Sequence, residues 1–313
     1  MLTPWGELEV SDAHVHFFSR NFFAILAAQR GSVQEGVEGG ASLEEAGSLL
    51  GWEIPPPEPE RLAERWVTEL DRHGVSRAAL IASLPGEEGS VEAAVAHQPD
   101  RFWGYFMVNP LTPETPDRVQ RALARGRLRG ICLFPAMHRY PIQDERALAV
   151  ISKAAARPGT VVFVHCGVLM VGVRRKLGLP SPFDMRFSNP IDLHAVALRF
   201  PEVAFVVPHF GAGYFREALM LCDLCPNVYL DTSSSNQWMR YQPEGDLKSV
   251  FRRALDVAGP GRLLFGTDSS FFPRGWQASI FRTQVGVLEE LGVDAEQARS
   301  ILGGNLARLL GSP

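Results

Sequence analysis

Four places in the sequence carry residue types that could do chemistry. Asp12-Ala13-His14-Val15-His16 follows the apolar run Leu8-Glu9-Val10-Ser11. Successive side chains on a strand alternate faces, so Asp12, His14 and His16 are expected on one face and Val15 on the other. Two imidazoles on one face at a strand end make half of a metal site, because neutral imidazole is a good transition-metal ligand. Three later apolar runs end in matching groups: His165 after VVFV, His209 after FVVP and Asp268 after LLFGT. The same period of two places Val161 and Phe163 below His165, Phe205 and Val207 below His209, and Leu264 and Gly266 below Asp268.

The surrounding elements must bring these groups together. Strand-like runs are expected over Leu8–His14, Arg77–Ser83, Trp103–Asn109, Gly130–Phe134, Thr160–His165, Ala204–His209, Asn227–Asp231 and Arg262–Asp268. Most are apolar on both faces, as buried parallel strands are. Helical periods fall between them. Glu60–His73 is one, stopped by Gly74; Thr115–Arg125, Asp144–Ala156, Tyr214–Cys225 and Asp246–Ala258 are others. Strand and helix alternating eight times predicts a single α/β domain over residues 1–313, a (β/α)8 TIM-type barrel. A doubly wound sheet is the alternative, but no G-x-G-x-x-G follows the first strand and no Walker sequence occurs. In a barrel the C-terminal strand ends meet at one mouth, which is where His14, His16, His165, His209 and Asp268 fall. Residues 19–59 form a long insertion after the first strand, with Gly36, Gly39, Gly40 and Pro55-Pro56-Pro57. Such a connection is expected to be a lid or a dimer contact, the alternative being a disordered insertion.

Composition narrows the classes of function. A net charge of -4 offers no basic field for nucleic acid. The greasiest stretch, Val161–Val173, is interrupted by His165 and is too short for a bilayer. The first residues lack the charged and apolar regions of a signal peptide. Four cysteines in 313 residues are no disulfide framework. A reducing cytoplasm is therefore expected. Cys222-x-x-Cys225 sits at a helix end without a redox context, and Cys166 points away from its neighbour His165, so both read as packed thiols.

The ordered segments DAHVHF (12–17), VVFVHCG (161–167), FVVPHFG (205–211), LLFGTDSS (263–270) and GGNLARLL (303–310) resemble the amidohydrolase superfamily. The similarity is to its amidohydrolase-related branch, which includes 2-amino-3-carboxymuconate semialdehyde decarboxylase. The resemblance implies that His14, His16, His165 and Asp268 bind a metal and that His209 is the catalytic acid/base, with Asp268 also taking a proton from water. In some relatives the sixth-strand histidine is a ligand instead. Binuclear relatives bridge two metals with a lysine from the fourth strand; here that strand reads Gly130-Ile131-Cys132-Leu133-Phe134. One divalent ion is therefore expected. Zn2+ best suits three imidazoles and a carboxylate, with Mn2+, Fe2+ and Co2+ as alternatives.

Such a site hydrolyses a small carbonyl compound, a lactone, amide or cyclic acid, through a metal-activated water. It also suits non-oxidative decarboxylation of an aromatic or muconate-type acid. A third possibility is a barrel that has lost activity and only binds. His138, Arg174 and Arg274 lie in loops at the same mouth and are candidate substrate contacts, the arginines for a carboxylate. Asp12 and Asp231 could orient ligands or simply make structural hydrogen bonds. Phe17, Phe18, Phe22 and Phe23 either wall a planar substrate or seat the insertion. The partners expected are a small-molecule substrate, possibly a carboxylic acid, and a second copy in a homodimer; neither nucleic acid nor membrane is expected.

Overall fold

Eight strands pair in chain order, each parallel to the next: β1 (Ser11–His16), β2 (Arg77–Ala82), β3 (Phe102–Val108), β4 (Leu128–Leu133), β5 (Val161–Val164), β6 (Ala204–Val207), β7 (Val228–Asp231) and β8 (Leu263–Leu264). The computed structural model describes residues 1–33, 43–233, 237–242 and 245–311. The sheet curls until its edges meet. Val15 bridges Ser269 in parallel, and Ala13 N donates to Phe265 O, Asp268 N to His14 O and His16 N to Ser269 O. Helices cover the outside, as a TIM-type (β/α)8 barrel requires.

Two apolar layers hold the wall. The inner one contains Ala79, Ile81, Tyr105, Met107, Cys132, Phe163, Val206 and Leu264. Leu306 and Leu310 of the helix Asn305–Leu310 join it, and Trp103 Nε1 donates to Gly311 O at 3.0 Å, so the C-terminal helix stoppers the lower end of the barrel. The outer layer lies between strands and helices. The helix Pro59–His73 is typical of its contributors: Pro59 opens it, Leu62, Ala63, Trp66 and Leu70 recur on one face and are buried, and Gly74 closes it at φ 70°.

Inward parity departs from strict alternation in two strands. A register shift between Asp12 and Val15 turns Ala13 into the inner layer while Val15 stays in the outer one. Asp12 therefore does not share a face with His14 and His16 as expected. Its carboxylate instead accepts from Trp276 Nε1 at 2.8 Å, within the outer layer. In β6 the inner residues are Ala204 and Val206, and Phe205 and Val207 are outside, the reverse of expectation. His209 reaches the mouth through the 3-10 turn that follows, where it adopts φ 55°. β5 and β8 keep the expected parity, with Val161, Phe163 and Leu264 inside.

The described part of the 19–59 insertion forms two helices, α1 (Arg20–Val33) and α2 (Leu43–Leu50). Gly36, Gly39 and Gly40 lie outside the described residues. Phe22, Phe23, Leu26, Ala46 and Leu50 pack with Val173, Leu177 and Leu179 from the loop after β5. Phe22 and Phe23 thus seat the insertion, Phe17 packs in the outer layer of the barrel, and Phe18 also stacks on His16, with ring centroids 5.5 Å apart.

One buried acid fastens the insertion to the barrel. Ser19 Oγ donates to Glu87 Oε1 at 2.6 Å and accepts from Phe22 N at 3.3 Å. Glu87 is 1% exposed and its Oε2 has no partner among the described residues. Burial pushes its carboxyl up to about 7, although hydrogen bonds from Ser19, Asn21 and Ser90 pull it down. A folded-state value above the unfolded one means that ionisation costs stability: the penalty is absent near pH 4, develops through pH 5–7 and is complete above. Glu87→Gln is therefore expected to be more stable than wild type by about 2–3 kcal/mol at pH 8 and nearly equal to it at pH 4. Urea melts at the two pH values check this, and an equal effect at both would put the cause elsewhere.

Candidate active site

The strand ends deliver three acceptors to one spot. Ligand atoms of His14, His16 and Asp268 all lie within 4.8 Å of one another. His14 Nε2 is 3.3 Å from His16 Nε2, and Asp268 Oδ1 is 3.8 Å from the first and 3.2 Å from the second. His165, from the end of β5, stands outside that trio. Its ring lies 5.5 Å from that of His209 and stacks on Phe134 at 5.2 Å. His209 in turn sits 5.0 Å from the His14 ring, so the four imidazoles and Asp268 share one mouth.

Hydrogen bonds on the far side of each ring fix its tautomer. The Ser83 hydroxyl gives its one proton to Ile81 O at 3.1 Å, so at 2.7 Å it must accept from His16 Nδ1. His14 Nδ1 faces Asp231 Oδ2 at 2.6 Å, a fully buried carboxylate. Burial opposes the Asp231 charge, but His14 and His209 beside it and the bonds from His14 and Ser233 hold the carboxyl below the usual carboxylate range, so the imidazole donates. With both rings neutral, the two Nε2 atoms present lone pairs towards each other and towards Asp268. Burial also works against the Asp268 charge, yet the electrostatics of the neighbouring His16, His14 and His209 rings outweigh it and hold the carboxyl below the usual carboxylate range.

A cation resolves this arrangement of three acceptors with no proton between them. The donor set suits a divalent ion of the Zn2+ or Mn2+ kind. His165 adds to the fit: burial holds it neutral, and its Nδ1 is buried without a partner among the described residues. That trio is the one such group found among the described residues.

The spare room in the wall is small. A Cβ at Gly266 would lie 2.8 Å from Asp231 Oδ1, 2.9 Å from Ser233 Cβ and 3.1 Å from His14 Cβ. Gly266→Ala is expected to push Asp231 off His14, lower metal affinity by about 10–100-fold and cost about 1–3 kcal/mol. Chelator competition and thermal melts measure the two effects, and unaltered metal affinity would show that the Asp231–His14 contact does not govern binding.

The loop residues divide. His138 follows β4 in a one-turn helix; burial lowers its pKa to about 4, and its Nδ1 has no partner among the described residues. Arg274 donates to Asp268 O at 3.2 Å and Ser270 Oγ at 2.7 Å and lies over the Phe271 ring at 4.5 Å. Phe271 stacks on Trp52 of the insertion at 3.9 Å. Arg174 spends its guanidinium on Pro180 O, at 3.0 and 2.8 Å, and on Gln29 Oε1 at 2.7 Å, tying its loop to α1. Ser83 and Ser233 carry no sequence signal of their own. Lying at or beyond the ends of β2 and β7, they could have been found only by asking what each ligand ring donates to.

A closed parallel barrel with histidine and aspartate at its C-terminal strand ends defines a class of metal-type hydrolytic barrels. The chain belongs to the amidohydrolase family, whose profile (Amidohydro_2) matches residues 11–312, and is an enzyme of that type. It is 30% identical over 195 residues to Protein fluG of Emericella nidulans, covering 61% of this chain and 21% of that protein, so it spans about a fifth of that relative's length. Its fold is similar to that of the 5-carboxyvanillate decarboxylase of Novosphingobium aromaticivorans, solved with manganese and 4-hydroxy-3-methoxy-5-nitrobenzoic acid. The TM-score is 0.67 at 14% identity, over 99% of this chain and 98% of that one. It is also similar to a probable 2-pyrone-4,6-dicarboxylic acid hydrolase of Acinetobacter baumannii, solved with citric acid, at TM-score 0.59 and 14% identity over 97% and 100% of the two chains. Among the described residues no helix is long and apolar enough to cross a membrane.

Proposed function

We propose that the protein is a metal-dependent hydrolase of a small carbonyl compound, a lactone, amide or cyclic acid. The observation that carries this reading is the pair of Nε2 lone pairs of His14 and His16 facing each other and ionised Asp268 at 3.2–3.8 Å. His14, His16, His165 and Asp268 hold one divalent ion, Zn2+ for preference. When bound, the ion supplies Lewis acidity to the carbonyl and to the attacking water. His209 Nε2 takes the proton from water and returns it to the leaving group, and Asp268 accepts a proton through its second oxygen. His138 and Arg274 bind the substrate's polar groups, the latter as the partner of a carboxylate. Arg174, its donors spent, holds the insertion over the mouth instead.

A second reading is non-oxidative decarboxylation of an aromatic or muconate-type acid. It is favoured by the ring of Phe18 stacked on His16 and by the Trp52–Phe271 pair beside Arg274, surfaces suited to a planar anion. Incubating the zinc- or manganese-loaded protein with lactones, amides and aromatic acids separates the two. Ring opening or amide cleavage without CO2 supports hydrolysis, and CO2 release replaces it with the lyase. The whole of 1–313 acts as one catalytic unit in this reading, as a cytoplasmic homodimer with the insertion as lid or contact. All four cysteines are free.

A further inference from the structure

The outer helices that follow β5 and β6 leave an apolar face uncovered. Leu198 of the helix His194–Arg199 is 57% exposed, and Met220 and Leu224 of the helix Phe215–Leu224 are 50% and 58% exposed. Ile191, in the 3-10 turn that leads into the shorter helix, is exposed as well. The two helices lie side by side and run the same way. A Cβ at Gly211 would lie 2.9 Å from Ala218 Cβ and 3.7 Å from Pro190 Cγ, which brings their leading ends together. At the trailing ends Asn227 Nδ2 lies 3.1, 3.0 and 3.0 Å from Ala197 O, Phe200 O and Val203 O. Val196, Ala197, Ala218, Leu221 and Cys222 already fill the barrel side of the pair, so the exposed side chains have no core left to join. Apolar surface gathered in this way marks a docking face.

The charges on the longer helix say what docks there. Arg216, Met220, Asp223 and Leu224 stand at i, i+4, i+7 and i+8, on one helical face. A cation thus lies one turn before Met220 and an anion one turn after it. Rotating this stripe by 180° about Met220 sets Arg216 beside Asp223 of the partner subunit and Met220 against its own copy, so the stripe is complementary to itself. Arg216 has capacity for the contact. Its Nε and Nη2 lie 3.2 and 2.7 Å from Glu217 Oε1, and its Nη1 has no partner among the described residues. Asp223 is exposed and likewise has none among them. A second copy of the helix supplies what each lacks, and every apolar contact counts twice in a two-fold pair.

We infer that the face built by the helix Phe215–Leu224, with Leu198 at its edge, is the contact between two copies of this chain, the two helices crossing antiparallel at Met220. The inference rests on the homodimer of the proposed function and assigns its contact surface. Each of these helices runs from the mouth of its barrel towards the foot, because it returns from a strand whose C-terminal end is at the mouth. Antiparallel crossing therefore points the two mouths in opposite directions and leaves both open. The insertion takes no part in the contact and is left as a lid.

The test is the mass of the particle. By light scattering after gel filtration at micromolar concentration, wild type is expected at twice the chain mass. Met220→Glu is expected at the mass of one chain, with the dimer Kd raised at least ~100-fold, since it would bury two carboxylates without partners. Arg216→Glu and Asp223→Arg are each expected to weaken the dimer, and the two together to restore it, because the exchange reverses both ends of the pair. This exchange decides even if Met220→Glu does not fold. All four native cysteines are buried, so Met220→Cys adds an exposed thiol, and a short bismaleimide is expected to join two chains through it on a denaturing gel. A wild type of single-chain mass refutes the homodimer and this inference together. A wild-type dimer that persists in Met220→Glu, or a double exchange no stronger than either single change, overturns this inference alone and moves the contact elsewhere.

Discussion

His209→Asn is expected to keep its metal and lose turnover, with kcat lower by about 100- to 10,000-fold, the range that a positioned general acid–base supplies. The geometry motivates both halves. His209 Nδ1 donates to Ser233 O at 2.8 Å, which turns Nε2 towards the His14 ring 5.0 Å away. Burial lowers its pKa, so the ring is neutral and ready to accept a proton at neutral pH. It is not one of the three residues whose ligand atoms cluster within 4.8 Å. Asparagine fills similar space and can still donate to the Ser233 carbonyl, so the fold and the metal should survive. Metal analysis and steady-state kinetics on the same preparation check the prediction. Loss of metal in this variant would make His209 a ligand, and full turnover would remove it from the chemistry.

Asp268→Ala is expected to have the larger effect on the metal. Wild type should purify with about one equivalent of a divalent ion, and the variant should bind it more than ~100-fold more weakly and show no turnover above background. Asp268 is the one negative group in the trio; without it the site offers neutral imidazoles alone, and His16 Nε2 loses its neighbour at 3.2 Å. The backbone should tolerate the change, since Asp268 N–H to His14 O closes the barrel through main-chain atoms. Asp268 does adopt φ 60°, a conformation that aspartate accepts more readily than alanine, so part of any loss in thermal stability belongs to the backbone. Elemental analysis of both proteins decides. Two equivalents in wild type would restore binuclear chemistry, and none after reconstitution would remove the metal from the mechanism.

Much of the architecture could be read in advance because its signals are local. Apolar runs bounded by glycine and proline mark the strands, and β2 at Arg77–Ala82 and β3 at Phe102–Val108 fall within a residue or two of expectation. The histidines and Asp268 were visible because a barrel gathers whatever stands at its C-terminal strand ends. What failed was strict alternation. The bulge at Asp12–Val15 and the turn after Val207 each change which side chains face inward, and such irregularities depend on neighbouring strands that a single sequence does not display. The helices of the insertion were also missed, since the strong signals in 19–59 are its glycines and prolines. Ser83, Ser233 and Glu87 were invisible for a different reason. Each matters through one partner distant in sequence, and serine or glutamate near a strand end carries no pattern that announces it.

The closure of the barrel has a consequence for how the chain comes into being. β1 and β8 lie at opposite ends of the strand order, and the bonds from Ala13 to Phe265 and from Asp268 to His14 join them. Of the proposed ligands, His14 and His16 therefore leave the ribosome early, His165 follows with β5, and Asp268 arrives only after seven strands have been made. A nascent chain can display these histidines before the barrel is complete, but it lacks the Asp268 carboxylate of the proposed set until the ring shuts. With the proposed ion bound there, final folding and final metallation would be a single late event, and a barrel that failed to close would not retain the ion and act as a half-made catalyst.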